Sequence, residues 1–267
     1  MSVNAEQMFK NLWNQYVQLT PQADKIRQLL EGRGENPLND HVAFRTIKHP
    51  KLGIEGFAKH FRPLGYEAKG EYHFEQKKLY AIHMEPTDPQ QPKIFISELL
   101  TDQLSDQAQT YIEDLVQQLP DDATSQPDFC FSGRPWNCTK KVYTDLLQES
   151  EYAAWMSAFG FCANHFTILF NSLSSFETLE QLNEFIKASG FNLNSSGGEI
   201  KGSADVLLAQ SSTMASNKVV HFSDGELEIP SCYYEFARRY EMESGSLYQG
   251  FVAASADKIF ESTDKNS

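Results

Sequence analysis

The chain has 267 residues, a formal net charge of −13, 40% hydrophobic residues and 12% aromatic residues, which is typical of a globular protein that buries a core without staples. It lacks the run of about eighteen apolar residues that a bilayer-spanning helix needs, so we expect no contact with the membrane interior. The acidic balance also argues against nucleic acid as a partner, because clustered lysine and arginine are what attract phosphate backbones.

The N-terminal segment, residues 1–37, is predicted to form a helical pair. Its first residues lack the basic start and apolar core of a secretory signal, so we expect a cytoplasmic protein. Apolar residues recur at helical spacing between residues 5 and 19, namely Met8, Leu12 and Tyr16. Pro21 is well suited to the first position of a second helix, which is predicted to end at Gly32.

Residues 38–100 are predicted to form a first module with the element order βαβββ. A strand over about residues 40–48 is followed by a helix that stops at Gly65. Three β-like runs complete the module, over residues 71–76, 78–84 and 93–99. The next segment, residues 101–160, is predicted to be a helical insertion with helices over 101–118 and 139–158.

Residues 161–240 repeat the order of the first module. A strand over residues 164–171 precedes a helix that Ser175 is expected to cap and Gly190 to end. Further β-like runs cover residues 206–209, 218–222 and 232–237. The C-terminal segment, residues 241–267, is predicted to be a loop over the site or a short edge.

The register of this repeat predicts the fold class. His41 and His165 lie 124 residues apart, and the helix-ending glycines Gly65 and Gly190 lie 125 apart. A repeat of this size decides the architecture. We therefore predict an α+β fold in one compact domain, with two βαβββ modules forming a cupped mixed sheet whose first strands lie side by side at the centre.

The first strands carry the candidate metal ligands. Strand alternation puts His41 and Arg45 on one face, and pairing of the modules brings His165 close to His41. Glu235, on the last strand of the second module, supplies a carboxylate. Two imidazoles and one carboxylate with open positions are the ligand set of non-haem Fe(II) oxygenases. Arg45, with its planar fork of donors, is suited to hold a carboxylate or phosphate.

Other residues compete for these roles. Glu98 closes the first module as Glu235 closes the second, so it is the expected equivalent and an alternative ligand. Glu226 and Glu228 are further rival carboxylates. We expect His73, His83 and His221, which lie on other strands, to be packing or surface histidines, although any of them could orient a substrate. A histidine beside an arginine on a strand is also common as a half-buried structural pair.

Four segments identify a family resemblance. DHVAFRT, NHFTILFN, EIPSCYYEFARRY and GFVAASADKIFEST resemble the 2-oxoadipate dioxygenase/decarboxylase family, which has the vicinal oxygen chelate fold, and the resemblance spans most of residues 38–263. In that family two histidines and a glutamate bind Fe(II), and an arginine four residues after the first histidine holds the substrate. The resemblance assigns these roles to His41, His165, Glu235 and Arg45.

The resemblance implies an activity. Its members convert 2-oxoadipate and dioxygen to 2-hydroxyglutarate and carbon dioxide in lysine breakdown, so a small 2-oxo acid and dioxygen are the expected partners. The motifs do not identify the residues that measure substrate length, and the sequence does not give the oligomeric state. Two other functions remain open at this stage. One is a metal-dependent isomerase or hydrolase with Glu98 as a fourth ligand, and the other is a metal-free binding module.

Overall fold

The structure, a computed structural model, describes residues 4–263. Residues 1–3 and 264–267, at the outer ends of the first and last predicted segments, lie outside the described residues. The helices are α1 (Ala5–Leu19), α2 (Pro21–Gly32), α3 (Gly53–Phe61), α4 (Asp106–Val116), α5 (Lys140–Glu149), α6 (Glu151–Phe159), α7 (Leu179–Ala188) and α8 (Ala253–Ile259). The strands are β1 (Asn39–Ile47), β2 (Tyr66–Phe74), β3 (Leu79–Pro86), β4 (Lys93–Leu99), β5 (Ala163–Leu169), β6 (Lys201–Ser203), β7 (Leu208–Ser212), β8 (Asn217–Phe222), β9 (Gly225–Pro230) and β10 (Tyr233–Arg239).

Eight strands form one curled mixed sheet in the order β2-β3-β4-β1-β5-β10-β7-β6. The first strands, β1 and β5, are antiparallel neighbours at its centre, and each runs parallel to the last strand of its own half, β4 or β10. The predicted α+β fold of the vicinal oxygen chelate type, with a cupped sheet built from two similar halves, is confirmed.

Helices cover one face of this sheet. Phe44 of β1 packs against Phe57 and Phe61 of α3 at ring-centroid distances of 5.0 and 5.6 Å. Trp13 of α1 meets Phe166 of β5 edge-on at 5.1 Å. Because side chains alternate along a strand, this apolar packing leaves the neighbouring residues of β1 and β5 on the opposite face, where the candidate ligands lie.

Several predicted elements differ from the observed ones. Residues 218–222 form a strand, but β8 pairs with β9 in a separate two-stranded sheet inserted between β7 and β10. The predicted helix over 139–158 is two helices, because the Ser150 side chain caps α6 by accepting from the backbone N–H of Ala153. Thr178, not Ser175, caps α7. Ser175 instead donates to the buried carboxylate of Glu35.

The C-terminal segment contains a helix that the sequence did not predict. After the loop that leads from β10 to residue 252, α8 packs against β6, β7 and β2. It therefore lies across the sheet rather than along its edge. Within residues 4–263 the structure contains no helix that combines the length and apolar character needed to cross a bilayer.

Candidate metal centre

Three buried side chains from the centre of the sheet converge on one point. His41 on β1, His165 on β5 and Glu235 on β10 are 2%, 4% and 0% exposed, and one ligand atom from each lies within 4.8 Å of the others. The two Nε2 atoms are 3.3 Å apart, and Glu235 Oε2 lies 3.2 Å from His165 Nε2. The sheet order explains this geometry, because β1, β5 and β10 are consecutive neighbours.

The hydrogen bonds of the imidazoles point their lone pairs at this common centre. Asp40 Oδ2 accepts from His41 Nδ1 at 2.8 Å, and Asn164 Oδ1 accepts from His165 Nδ1 at 3.1 Å. A neutral imidazole that donates through Nδ1 has a lone pair on Nε2. Two imidazole nitrogens and a carboxyl group therefore face one another, with the Thr167 hydroxyl 3.1 Å from His41 Nε2, and a divalent cation would stabilise this arrangement. The residues present fit a metal ion.

Burial shifts the pKa values of all three residues towards their neutral forms. It raises the pKa of Glu235 to about 8, although Gln210 Nε2 donates to its Oε1 atom. It lowers the pKa of His41, and lowers that of His165 further because His41 and Arg45 lie close by. Glu235 Oε2 also has no hydrogen-bond donor among the described residues. A cation at the centre would compensate the buried carboxylate and use the free oxygen.

Asp40 joins the centre to a second ion pair. Arg239, on β10, donates through Nε to Asp40 Oδ1 and through Nη2 to Asp40 Oδ2, the latter at 2.8 Å. Burial alone would raise the pKa of the Asp40 carboxyl, but Arg239 and His41 hold it well below its usual range. Asp40 is therefore an anionic acceptor that fixes the tautomer and orientation of His41.

Arg45 lies on the predicted face but already has partners. Its Nη1 donates to both carboxylate oxygens of Glu151, at 3.0 and 3.2 Å, and its Nη2 donates to Thr263 Oγ1 at 3.2 Å. The guanidinium carbon also lies 4.9 Å from the ring centres of Tyr152 and Trp155. Its Nε is buried and has no partner among the described residues. The helical insertion thus holds this arginine on two sides and leaves one donor free.

Glu98 is not the first-half equivalent of Glu235, and that expectation is wrong. Ala43, two residues after His41, pairs with Phe95, just as Thr167, two residues after His165, pairs with Glu235. Phe95 therefore occupies the equivalent position. Glu98 pairs with Thr46 instead, and its Oε2 accepts from the backbone N–H of Ile54 at the start of α3.

The other rival residues also lie away from the three converging side chains. His221 pairs with Glu226 at 2.7 Å on the separate β8–β9 hairpin, which also carries Glu228. His73 packs against Tyr80. His83 lies between Tyr72 and Glu85 and reaches the site only indirectly, because its ring contacts Phe251 at 5.3 Å.

The C-terminal segment closes the site. Phe251 meets the His41 ring edge-on at 4.8 Å, and Arg239 Nη1 donates to the carbonyl oxygens of Tyr248 and Gly250. The cavity over the centre measures about 20 Å³. Ten residues line it: His41, Phe95, His165, Gln210, Tyr233, Glu235, Phe251, Ala256, Ile259 and Phe260. A space of this size holds about one water molecule.

Several of these residues were not predicted from the sequence. Asp40 was missed because adjacent strand residues normally face opposite ways, whereas a register shift between Asn39 and His41 brings the Asp40 carboxylate to the imidazole. Arg239 and Gln210 carried a weak signal. Arg239 follows Glu235 by four residues and so shares its face. The segment GFVAASADKIFEST, one of the four that carry the family resemblance, contains α8, but the packing of this helix over the centre depends on tertiary contacts that no motif specifies.

Comparison with known proteins gives a consistent family match. The profile of the 2-oxoadipate dioxygenase/decarboxylase family matches residues 6–126 and 117–245. A rice protein (Oryza sativa subsp. japonica) named 2-oxoadipate dioxygenase/decarboxylase is 36% identical, over 97% of this chain and 78% of its own length.

Two solved structures are close in both sequence and shape. A Shewanella frigidimarina protein described as a hydrolase is 53% identical, with a TM-score of 0.91 over 95% of this chain and 100% of that one. Hydroxyglutarate synthase from Oryza sativa, solved in complex with 2-oxoadipate, is 34% identical, with a TM-score of 0.89 over 98% of this chain and 94% of that one.

Proposed function

The chain belongs to the 2-oxoadipate dioxygenase/decarboxylase family, and we propose that it converts a 2-oxo dicarboxylic acid, with 2-oxoadipate as the preferred substrate, to a 2-hydroxy acid. Dioxygen is the co-substrate and carbon dioxide the second product. For 2-oxoadipate the product is 2-hydroxyglutarate, and the atoms balance with one molecule of dioxygen and no other reductant. The observation that carries the proposal is the convergence of two imidazole lone pairs and the Glu235 carboxylate on one buried point.

The proposed cofactor is Fe(II), with His41, His165 and Glu235 as its ligands. A metal ion held by three protein ligands would keep coordination positions for a 2-oxo acid and dioxygen. A bound Fe(II) would supply the redox chemistry that dioxygen requires. The surrounding side chains preorganise the ligands. Asp40 and Asn164 orient the imidazoles and Gln210 orients the carboxylate.

We propose that Arg45 binds a carboxylate of the substrate. Burial lowers its pKa, but Glu151 more than offsets this, so the guanidinium stays charged. Its free Nε is a buried donor, and an unpaired buried donor is costly unless a ligand or water satisfies it. Thr263 Oγ1 accepts from Arg45 Nη2, and a substrate carboxylate could take its place. Lysine breakdown as the pathway and the cytoplasm as the compartment stay predictions.

The experiment that tests this function is oxygen uptake by anaerobically iron-loaded protein. We expect 2-oxoadipate to give uptake with one carbon dioxide released per dioxygen consumed, and 2-hydroxyglutarate as the product. Shorter and monocarboxylic acids, 2-oxoglutarate and 2-oxohexanoate, are the comparison substrates. A Glu235→Ala variant is the control, since it should lose both iron and uptake. Iron-loaded protein that consumes no dioxygen with any 2-oxo acid would contradict the proposal.

A further inference from the structure

Tyr233 lies beside the metal centre but is not one of the three proposed ligands. It precedes Glu235 by two residues on β10, pairs in register with His165 and is fully buried. Its ring stacks on the His165 imidazole at 4.6 Å with an interplanar angle of 24°. The side chain also lines the cavity over the centre. Stacking accounts for the ring, but it gives no reason for the hydroxyl.

The Tyr233 hydroxyl is a buried donor without a partner among the described residues. Such groups are rare in folded proteins, because losing water without gaining a hydrogen bond is unfavourable. A phenol has an ordinary pKa of about 10 and is protonated at neutral pH, so this hydroxyl is able to donate. An acceptor brought by a ligand would satisfy it.

Tyr233 and Arg45 lie at the same end of the site. Strand β1 runs antiparallel to β5, and β5 runs parallel to β10, so the C-terminal part of β1 lies beside the N-terminal part of β10. Arg45 is near the end of β1 and Tyr233 begins β10. Each contributes a buried donor without a partner in the described structure, Nε in one case and the phenol O–H in the other. Glu151 and Thr263 accept from the other nitrogens of Arg45, so the two groups left without a partner are both donors, and an anionic ligand would satisfy them.

We propose that the Tyr233 hydroxyl and Arg45 Nε together bind the distal carboxylate of the 2-oxo diacid, the one that does not chelate the metal. This assignment rests on the proposed function and adds a residue that distinguishes diacids from monoacids. A metal ion held by His41, His165 and Glu235 would bind the 2-oxo end of the substrate, and a second anchor at the Tyr233 end would fix the direction of the chain. A carboxylate accepting from a phenol and a guanidinium also gains the strength of a charge-assisted hydrogen bond.

Tyr233→Phe is the decisive variant, because it removes the hydroxyl and keeps the ring on His165. Tyr234→Phe is its matched control. Tyr234 is the next residue on the strand, its hydroxyl is also buried, and its ring packs on the other face against Trp13 at 5.9 Å. Both variants should bind as much iron as the wild type. Tyr233→Phe should melt at the wild-type temperature, because the Tyr233 hydroxyl has no hydrogen-bond partner among the described residues. The Tyr234 hydroxyl lies beside Arg27 on the other face, so Tyr234→Phe shows what loss of a buried hydroxyl outside the site does to stability.

The measurement is calorimetric titration of anaerobic Fe(II)-loaded protein with 2-oxoadipate and with 2-oxohexanoate, which lacks the distal carboxylate. We expect Tyr233→Phe to raise the Kd of 2-oxoadipate about tenfold, which corresponds to about 1.4 kcal/mol. The Kd of 2-oxohexanoate should change less than about twofold, within the usual effect of a substitution that removes no contact. Tyr234→Phe should leave both values unchanged.

The possible failures are distinguishable. If wild type binds 2-oxoadipate more tightly than 2-oxohexanoate and Tyr233→Phe keeps that preference, the assignment of Tyr233 is wrong and the proposed function stands. If Tyr233→Phe weakens both acids equally, the hydroxyl does not hold the distal carboxylate, and the assignment is again wrong. If iron-loaded wild type binds neither acid, or shows no preference for the diacid, the substrate class itself is overturned together with this inference.

Discussion

Phe95 stands in the first half of the sheet where Glu235 stands in the second. Each pairs with the residue two positions after its half's histidine, Ala43 in one case and Thr167 in the other. Both side chains line the same cavity. The repeat is therefore symmetric in its backbone and asymmetric in its chemistry, since one half supplies a histidine and an aromatic wall and the other a histidine and a carboxylate.

This asymmetry predicts different outcomes for two glutamate variants. Glu235→Ala should abolish metal binding, because it removes one of the three proposed ligands. Glu98→Ala should keep the metal and lower the free energy of unfolding by about 1 kcal/mol, because it removes the acceptor for the Ile54 N–H at the start of α3. Metal content and urea unfolding of both variants test this. If the Glu98 variant lost the metal and the Glu235 variant kept it, the third ligand would be Glu98 in the first half, and the prediction would be wrong.

The repeat register predicted most of the fold, but it did not predict which residue of the first half corresponds to Glu235. Counting from His41 and His165 correctly matched the two first strands, the helices that follow them, and Gly65 with Gly190, because these depend on local periodicity. The match of Glu98 to Glu235 failed because the β8–β9 hairpin lies between β7 and β10, so chain distance no longer reports sheet position. Only strand pairing identifies Phe95.

Contacts made by distant segments were equally beyond the sequence. Alternation placed Arg45 on the ligand face, but Glu151 reaches it from the helical insertion and Thr263 from the C-terminal segment. Such contacts join residues more than a hundred positions apart, and no local pattern encodes them. The same holds for Arg239 and Asp40, which are 199 positions apart in the chain.

Asp40→Asn should weaken metal binding through His41. The substitution keeps an oxygen near His41 Nδ1 but removes the charge that pairs with Arg239, so we expect metal affinity to fall about 10- to 100-fold. It should also lower the free energy of unfolding by about 3–5 kcal/mol, because Arg239 would be a buried, unpaired charge. Metal titration and urea unfolding measure the two effects.

A matched variant separates these two effects. Glu35→Gln also alters a buried carboxylate with several hydrogen bonds, to Ser174 and Ser175, but it lies away from the metal ligands. It should lose stability and keep metal affinity. If Asp40→Asn binds metal as tightly as Glu35→Gln does, the carboxylate of Asp40 serves the fold and not the centre.

Arg45→Lys should weaken binding of the 2-oxo diacid while iron binding is nearly unchanged. Lysine keeps the charge but loses the planar fork and the Nε donor, so we expect KM for 2-oxoadipate to rise about tenfold or more. Arg238→Lys is the control, since Arg238 is only partly buried and donates to the Glu177 carbonyl outside the site. Oxygen uptake against substrate concentration measures the effect. An unchanged KM in the Arg45 variant would make this arginine structural.

Helix α8 should move when the substrate binds. The cavity of about 20 Å³ accommodates about one water molecule, and a six-carbon diacid needs several times that space. Ala256 and Ile259 of α8 and Phe260, which follows it, line the cavity, so displacing α8 is a direct way to enlarge it. The same motion would carry Thr263 away from Arg45 Nη2. We therefore expect 2-oxoadipate, added anaerobically to iron-loaded protein, to change the amide hydrogen exchange of residues 253–263.

The amides of α5, on the insertion, should be unaffected and serve as the internal reference. Identical exchange of residues 253–263 with and without saturating 2-oxoadipate would mean that the substrate enters by displacing another wall of the cavity.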